Sequence, residues 1–399
     1  MTDTKTESVV CRLADEKDTA QVQALWETCF DDTAAFVQWY FSRYYKSENT
    51  LGIFAGADLQ ASAQMIPYTI QLRDTVLPCA YIVGVDTAPA ARKKGYARTL
   101  LRECLAEQRK RKQPISLLMP FEGQFYYRYG WPFCYFHQQM VLQPQELRCA
   151  AREWGNIRQI DLHDAQPQLA DVYAQFVRHY HGAVLRSEQQ WQWLLEDAAL
   201  DYTQCFLLEE DGQVQGYCLW TPLKGRIFIR EMAWCNEQAR AGLLWFLQEA
   251  VPENKRLRLE LPDDDILVYQ MAASKHAAVR YPFLMARIVD VKQCLETICY
   301  PAEEKAAFCM AVKDTFAAWN HGVFAIQIAD GQASVTALEE NRGNEADCTI
   351  TIEALSQLVM GARSAEQLQR QNLLQTGKET AAVLQRLWPV QNLYINEYY

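Results

Sequence analysis

The sequence predicts a mixed α/β (α+β) protein in three parts: two mixed-sheet units in tandem, then a smaller α+β segment. Three observations predict it. The chain has 399 residues, more than one hydrophobic core organises. Half of them are apolar and 12% aromatic, which supplies a core for each part and excludes a disordered or collagenous chain. The order helix, helix, hairpin, strand, helix, strand occurs twice, more weakly the second time, as in a duplicated unit. The expected limits are 1–150, 151–286 and 287–399.

The first part opens with a short apolar strand, "VVCRL", and a helix over "DTAQVQALWETCF", where Val22, Leu25, Trp26 and Cys29 recur at helical spacing. Asp31, Asp32 and Thr33 offer N-cap chemistry to a second helix, "AAFVQWYFSRYY". Apolar alternation around Gly56, Ala57 and Asp58 predicts two strands, and "TVLPCAYIVGVDTAP" reads as a central strand buried on both faces. A helix with a basic, glycine-bearing start follows in "ARKKGYARTLLRECLAEQRKRKQ", then a buried strand, "PISLLMP". The stretch "FEGQFYYRYGWPF" is expected to turn through Gly130 into a strand near "FHQQMVL", with Tyr126 and Tyr127 extended and facing opposite ways.

The middle part repeats the pattern: helices near Leu169 and Glu188, a hairpin turning at Asp211 and Gly212, the strand "RIFIREMAW", the helix "EQARAGLLWFLQEAV" and the strand "RLRLEL". It lacks the basic glycine turn. Asp263, Asp264 and Asp265 read as a solvated turn, and His179 and His181 as surface residues without a carboxylate at metal-ligand spacing. The last part shows two alternating strands around Asp330 and Gly331 and helices over "IEALSQLVMG" and "SAEQLQRQ". Its size suits a scaffold or binding module.

A formal charge of −10 argues against nucleic acid as the main partner, which needs a basic stripe, and favours cationic small molecules. The start, "MTDTKTESVV", has no cationic region followed by an apolar one, so no signal peptide is expected. The longest charge-free stretch, 129–145, carries prolines, a histidine and glutamines that no bilayer span would hold. Thirteen scattered cysteines without a C-x-x-C pair read as reduced, apolar residues, which points to the cytoplasm.

The most specific stretch is "VGVDTAPAARKKGYARTL". A buried strand runs out through Val83 and Val85 into a helix start at Arg92, Lys93, Lys94, Gly95, Tyr96 and Ala97. The first N–H groups of a helix are unpaired and its dipole is positive there, so an anion finds ready donors. Gly95 and Ala97 keep side chains clear, and the three cations beside them suit a diphosphate. Neither G-x-x-x-x-G-K-[ST] nor G-x-G-x-x-G occurs. No metal is expected, and no cysteine sits in a His-bearing motif that would favour an acyl-cysteine route.

The R-x-x-G-x-A turn after a V-x-V strand resembles the acetyl-CoA signature of GCN5-related N-acetyltransferases (GNAT). The likeness implies that Val83 and Val85 offer backbone groups to the pantetheine arm while Arg92, Gly95 and Ala97 hold the pyrophosphate. "FYYRYGW", the second unit, the "ARIVDVK" junction and the closing "INEYY" together resemble the Eis family of these enzymes, over nearly the whole chain. That likeness implies two tandem GNAT units and a sterol-carrier-like C-terminal scaffold, acetyl-CoA as donor, an amine as acceptor and a hexamer. It implies Tyr126 as general acid, in Tyr126-Tyr127-Arg128-Tyr129-Gly130, and the terminal carboxylate of Tyr399 as general base, with Tyr127 the competing acid. Here the terminal residue is tyrosine where the family often has phenylalanine, which keeps the carboxylate.

Such chemistry needs both groups: an attacking amine must lose a proton and the departing thiolate must gain one. The terminus is then expected to be ordered by burial in the first unit's active site, anchored by Tyr394, Ile395, Tyr398 and Tyr399. The acceptor is expected to be an aminoglycoside-like compound, a polyamine or a lysine side chain, with Asp31, Asp32 and Glu397 in an acidic pocket. The alternatives are a non-catalytic acyl-CoA or lipid-binding protein on the same scaffold, and an acyltransferase using longer acyl-CoAs.

Overall fold

The computed structural model describes residues 8–271, 278–338 and 346–398. They form two compact units. The first holds the described residues up to Cys134, Leu284–Gln391 and Tyr398; the second holds Tyr135–Phe283 and Asn392–Glu397.

In the first unit, strands β1 (Val9–Leu13), β2 (Thr50–Ala55), β3 (Asp58–Leu72) and β4 (Thr75–Thr87) lie antiparallel in that order. Next comes β5 (Ile115–Leu118), parallel to β4, paired on its other edge with Met285, Ala286, Arg287 and Ile288. Helix α1 (Thr19–Cys29) turns Val22, Leu25 and Trp26 inward, the 3.6-residue spacing read in the sequence. Helix α2 (Ala34–Trp39) is capped by Thr33, whose side chain accepts from Phe36 N at 3.2 Å. Its continuation widens to a π turn, with Tyr45 N–H bonded to Tyr40 O at 2.9 Å. Helix α3 (Tyr96–Lys110) buries Leu100, Leu101, Cys104 and Leu105 against Ile53, Met65 and Ile82.

The C-terminal part of this unit is a smaller sheet in the order Gln332–Leu338, Gly322–Ala329, Ala306–Lys313, Cys348–Thr351, Leu374–Thr376. Helix Ile352–Met360 ties it to the first part: Arg73 Nε donates to Val359 O at 2.8 Å, and Ile288 N to Ser356 Oγ at 3.0 Å. The second unit repeats the topology of the first. Its hairpin Gln204–Glu210 and Gln213–Leu223, strand Arg226–Trp234, helix Glu237–Ala250 and parallel strand Arg256–Pro262 correspond to β2, β3, β4, α3 and β5. The chain is a mixed α/β protein.

Four local expectations change. The helix α3 begins at Tyr96, so the cations Arg92, Lys93 and Lys94 lie in the turn before it. Tyr126 and Tyr127 are not extended: they close a five-residue helix, α4 (Gly123–Tyr127), too short to display a helical period. The Asp263–265 turn is not simply solvated, because Asp265 is buried and takes two bonds from Arg240, at 2.7 and 2.9 Å. Tyr394 and Ile395, expected in the first unit's active site, belong to the second unit. There Tyr394 packs on Phe176 and Tyr180, and His137 Nε2 lies 2.8 Å from Ile395 O.

Candidate active site

The site begins as a break in strand pairing. Gln64 of β3 faces Val83 of β4, but two residues back Ser62 faces Asp86, so β4 carries an extra residue there. Gly84 takes φ +56° at this bulge, and a Cβ on it would lie 2.4 Å from Trp26 Cζ3. On the other edge, the β4–β5 ladder stops at Ile82 opposite Leu118. Beyond that pair the two parallel strands no longer bond, and the gap opens as a cavity of about 320 Å³.

Ile82, Val83, Gly84 and Val85 form one wall of the cavity, and Met119, Pro120 and Phe121 the facing one. Trp26, Phe30 and Asp32 from α1 and its exit, with Phe36 from α2, complete the rim, and Tyr126 of α4 closes it. Asp32 is held in place by Trp26, whose Nε1–H donates to Oδ2 at 2.9 Å. Tyr126 is buried among Phe121 and Phe125 at ring distances of 5.6 and 5.0 Å. Burial alone raises its hydroxyl pKa well above that of a free phenol, so it stays protonated at neutral pH. Tyr127 is about half exposed, at 44%.

Beyond the bulge, Pro89–Ala91 forms a 3-10 turn and the chain reaches α3 through Lys93 at φ +65° and Gly95 at φ +82°. Nothing lies within 4 Å of a Cβ built at Gly95, so the positive φ, not crowding, calls for glycine. No side chain caps α3, and the residues just before its first N–H groups include exposed Arg92, Lys93 and Lys94. The corresponding helix of the second unit is closed: Asn236 Oδ1 accepts from Ala239 N at 2.9 Å. The sequence reading noted the missing basic turn there; the cap shows what stands in its place.

Of the residues read as candidates, Val83, Val85, Asp32 and Tyr126 line one cavity. Arg92, Lys93, Lys94, Gly95 and Ala97 lie on the turn and helix start that follow the same strand. Asp31 is exposed. Glu397 belongs to the second unit, buried, its Oε1 accepting from Arg186 Nε at 2.8 Å. Tyr399 lies outside the described residues. Among the described residues no group of three His, Cys, Asp or Glu side chains is placed to hold a metal ion. Sequence reasoning missed Phe30, Phe36 and Phe121: the first two fall in helical patterns, where an aromatic residue reads as core whether it faces a core or a cavity, and Phe121 falls in a stretch read as a turn. The available signal was Gly84, an isolated glycine in an apolar strand, which marks a bulge.

Residues 10–134 match the family described as acetyltransferase (GNAT) domain, residues 182–288 match a second family of that description, and residues 291–396 match the sterol carrier protein domain. The class is thus an N-acetyltransferase with two GNAT domains and a sterol-carrier region, and a GNAT fold works with an acyl-CoA. The N-acetyltransferase Eis of Mycobacterium tuberculosis is 24% identical over 326 residues, covering 79% of this chain and 78% of the relative. A conserved protein of Enterococcus faecalis V583 has the same fold, with a TM-score of 0.87, 22% identity, and 98% of this chain and 100% of that one covered. Eis1 of Mycobacterium abscessus superposes with a TM-score of 0.79 at 16% identity, over 98% and 100% of the two chains. The chain thus carries two GNAT acetyltransferase domains and a sterol carrier protein domain, and it is similar to the Eis N-acetyltransferases over about four fifths of its length.

Proposed function

We propose that the protein transfers the acetyl group of acetyl-CoA directly to a primary amine of a cationic small molecule or lysine side chain. The single observation that carries this reading is that one cavity joins the open edge of β4 at Val83 and Val85 to the Tyr126 side chain. The pantetheine arm extends along β4, bonding to backbone groups that β5 leaves unpaired after Leu118. Its diphosphate sits on the turn at Arg92, Lys93, Lys94, Gly95 and Ala97, where helix N–H groups and cations converge. The amine nitrogen attacks the thioester carbon, the carbon–sulfur bond breaks, and the Tyr126 hydroxyl gives its proton to the sulfur.

The proton lost by the amine goes to the terminal carboxylate of Tyr399. Support for that assignment is the family likeness together with Tyr398, which belongs to the same unit as the cavity. A carboxylate of ordinary pKa ~3.5 is a weak base, and desolvation strengthens it. By the same likeness the enzyme is a hexamer, and its thirteen unpaired cysteines suit the cytoplasm.

The test is release of CoA thiol from acetyl-CoA with a panel of amines, with the acetylated product weighed by mass spectrometry. Turnover with formation of an N-acetyl product supports the reading. A shift of Tm by acetyl-CoA without turnover on any amine overturns it in favour of a binding protein. Turnover only with longer acyl-CoAs overturns the donor assignment.

A further inference from the structure

In the second unit the two parallel strands part as they do in the first. The ladder between Arg226–Trp234 and Arg256–Pro262 stops at Ile229 opposite Leu259, and Arg230 is an extra residue against the hairpin strand. Counted from the last pair, Arg230 and Glu231 stand where Val83 and Gly84 stand in β4. A strand that leaves its neighbour has carbonyl and N–H groups that need another partner. On the acetyl-transfer reading, the pantetheine arm is that partner in the first unit.

In the second unit the partner is the chain's own end. Asn396 Nδ2 donates to Arg230 O at 3.1 Å and to Glu231 Oε2 at 2.9 Å. Earlier in the segment, Asn392 Nδ2 donates to Asp264 Oδ2 at 2.7 Å, just past the end of Arg256–Pro262. The segment therefore runs from the end of one parted strand to the other, and Leu393, Tyr394, Ile395, Asn396 and Glu397 are all buried.

Glu231 carries a carboxylate where Gly84 has no side chain. Both terminal nitrogens of Arg186 donate to it, at 2.6 and 2.8 Å, and the Tyr217 hydroxyl does so at 2.7 Å. Arg186 Nε then holds Glu397 at 2.8 Å. The helix start that corresponds to the diphosphate turn is closed by Asn236. The second unit has thus lost the donor's anchor and kept the parted strands.

Resting on the reading of Tyr399 as general base, we propose that these parted strands are the seat of the C-terminal segment, and that Asn396 and Glu397, held by Glu231 and Arg186, are positioning residues for the terminal carboxylate. Tyr399 follows Glu397 by two residues, so a lock at Asn396 and Glu397 leaves few rotatable bonds before the base. Fixing a reacting group in this way contributes directly to rate.

The experiment measures kcat and KM of the full-length enzyme with ethylamine, which is protonated at neutral pH, and trifluoroethylamine, which is largely neutral there. It compares wild type, Asn396→Ala, Glu397→Gln and a chain with two residues added after Tyr399. A misplaced base costs most where the amine arrives protonated. Asn396→Ala is expected to lower kcat for ethylamine by roughly 10- to 100-fold, with a much smaller loss for trifluoroethylamine and an unchanged KM for acetyl-CoA. Glu397→Gln, which keeps the shape and loses the charge, is expected to move in the same direction. Equal losses on both amines mark a merely structural role and overturn the proposal. Wild-type kcat in both variants beside a slow extended chain overturns it too, and leaves the Tyr399 reading standing. Full rate in the extended chain overturns the base assignment and the proposal with it.

Discussion

Arg287 Nη2 donates to Asp314 Oδ2 at 2.5 Å, with both side chains fully buried. The other arm of the same guanidinium donates to Tyr129 O, and a Cβ at Gly130 would sit 1.4 Å from Nη1. The turn that follows Tyr126 is therefore fastened to the C-terminal part of its unit by one ion pair, and Gly130 is the space through which Arg287 passes. Asp314 is itself set by the N–H groups of Phe316 and Ala317, each at 2.9 Å.

Asp314→Asn keeps the shape and leaves a buried guanidinium without its countercharge. Urea unfolding is expected to show a loss of roughly 3–5 kcal/mol, whereas replacing Arg287 and Asp314 together by apolar residues of similar volume costs much less. An unchanged midpoint for Asp314→Asn would contradict the arrangement.

Gly95→Ala isolates backbone conformation from crowding, since nothing lies near the added methyl but φ is +82°. The left-handed backbone costs a non-glycine residue roughly 1–2 kcal/mol, so KM for acetyl-CoA is expected to rise by up to about five- to thirtyfold if the turn relaxes. Lys94→Glu is expected to raise it further, and to do so less at high salt. A KM equal to wild type for both variants would remove the diphosphate from this turn.

Asp86, at the bulge, is buried, and its Oδ1 accepts from Ser62 N at 2.7 Å and Ser62 Oγ at 2.8 Å. Burial pushes its carboxyl up to about 7, with the Ser62 bonds opposing the shift. In the unfolded chain the group ionises near pH ~3.9. The folded protein thus holds a proton that the unfolded chain releases. This contribution is fully present below about pH 4 and is lost as pH rises through about 7. Over that window it amounts to roughly 4 kcal/mol. Melting temperature against pH should be flatter over this range for Asp86→Asn; superimposable profiles would count against it.

The segment before the terminus is held by a buried network. Arg186 bonds Glu231 through both terminal nitrogens, at 2.6 and 2.8 Å, and Glu397 through Nε at 2.8 Å, while Asn396 Nδ2 donates to Glu231 Oε2 at 2.9 Å. Two residues added after Tyr399 leave that network intact and displace only the carboxylate. Their expected effect is a fall in kcat of about a hundredfold with an unchanged Tm. Equal rates would place the base elsewhere.

Most strands and long helices were legible because each buries one face for long enough to show a period: α3 keeps Leu100, Leu101, Cys104 and Leu105 on one side. Two other elements were not. α4 has five residues, and Ala306–Lys313 alternates buried Phe308, Met310 and Val312 with small residues that blur the contrast. Charged residues misled where the partner is remote in sequence, as with Asp265, whose Arg240 lies on a helix before it. The glycine turn could be singled out from local spacing, and Tyr126 only through the family resemblance of the stretch it sits in. The cavity could not, because Trp26, Phe36 and Phe121 meet only once the bulge at Gly84 and the early end of β5 have parted the strands.

The most direct measurement is the steady-state rate of Tyr126→Phe with acetyl-CoA and a turning-over amine. The account expects kcat to fall by roughly 10²–10⁴-fold, with KM for acetyl-CoA and Tm close to wild type, while Tyr127→Phe retains its rate. Full activity in Tyr126→Phe, or an equal loss in Tyr127→Phe, would contradict the assignment of this cavity as the acetyl-transfer site.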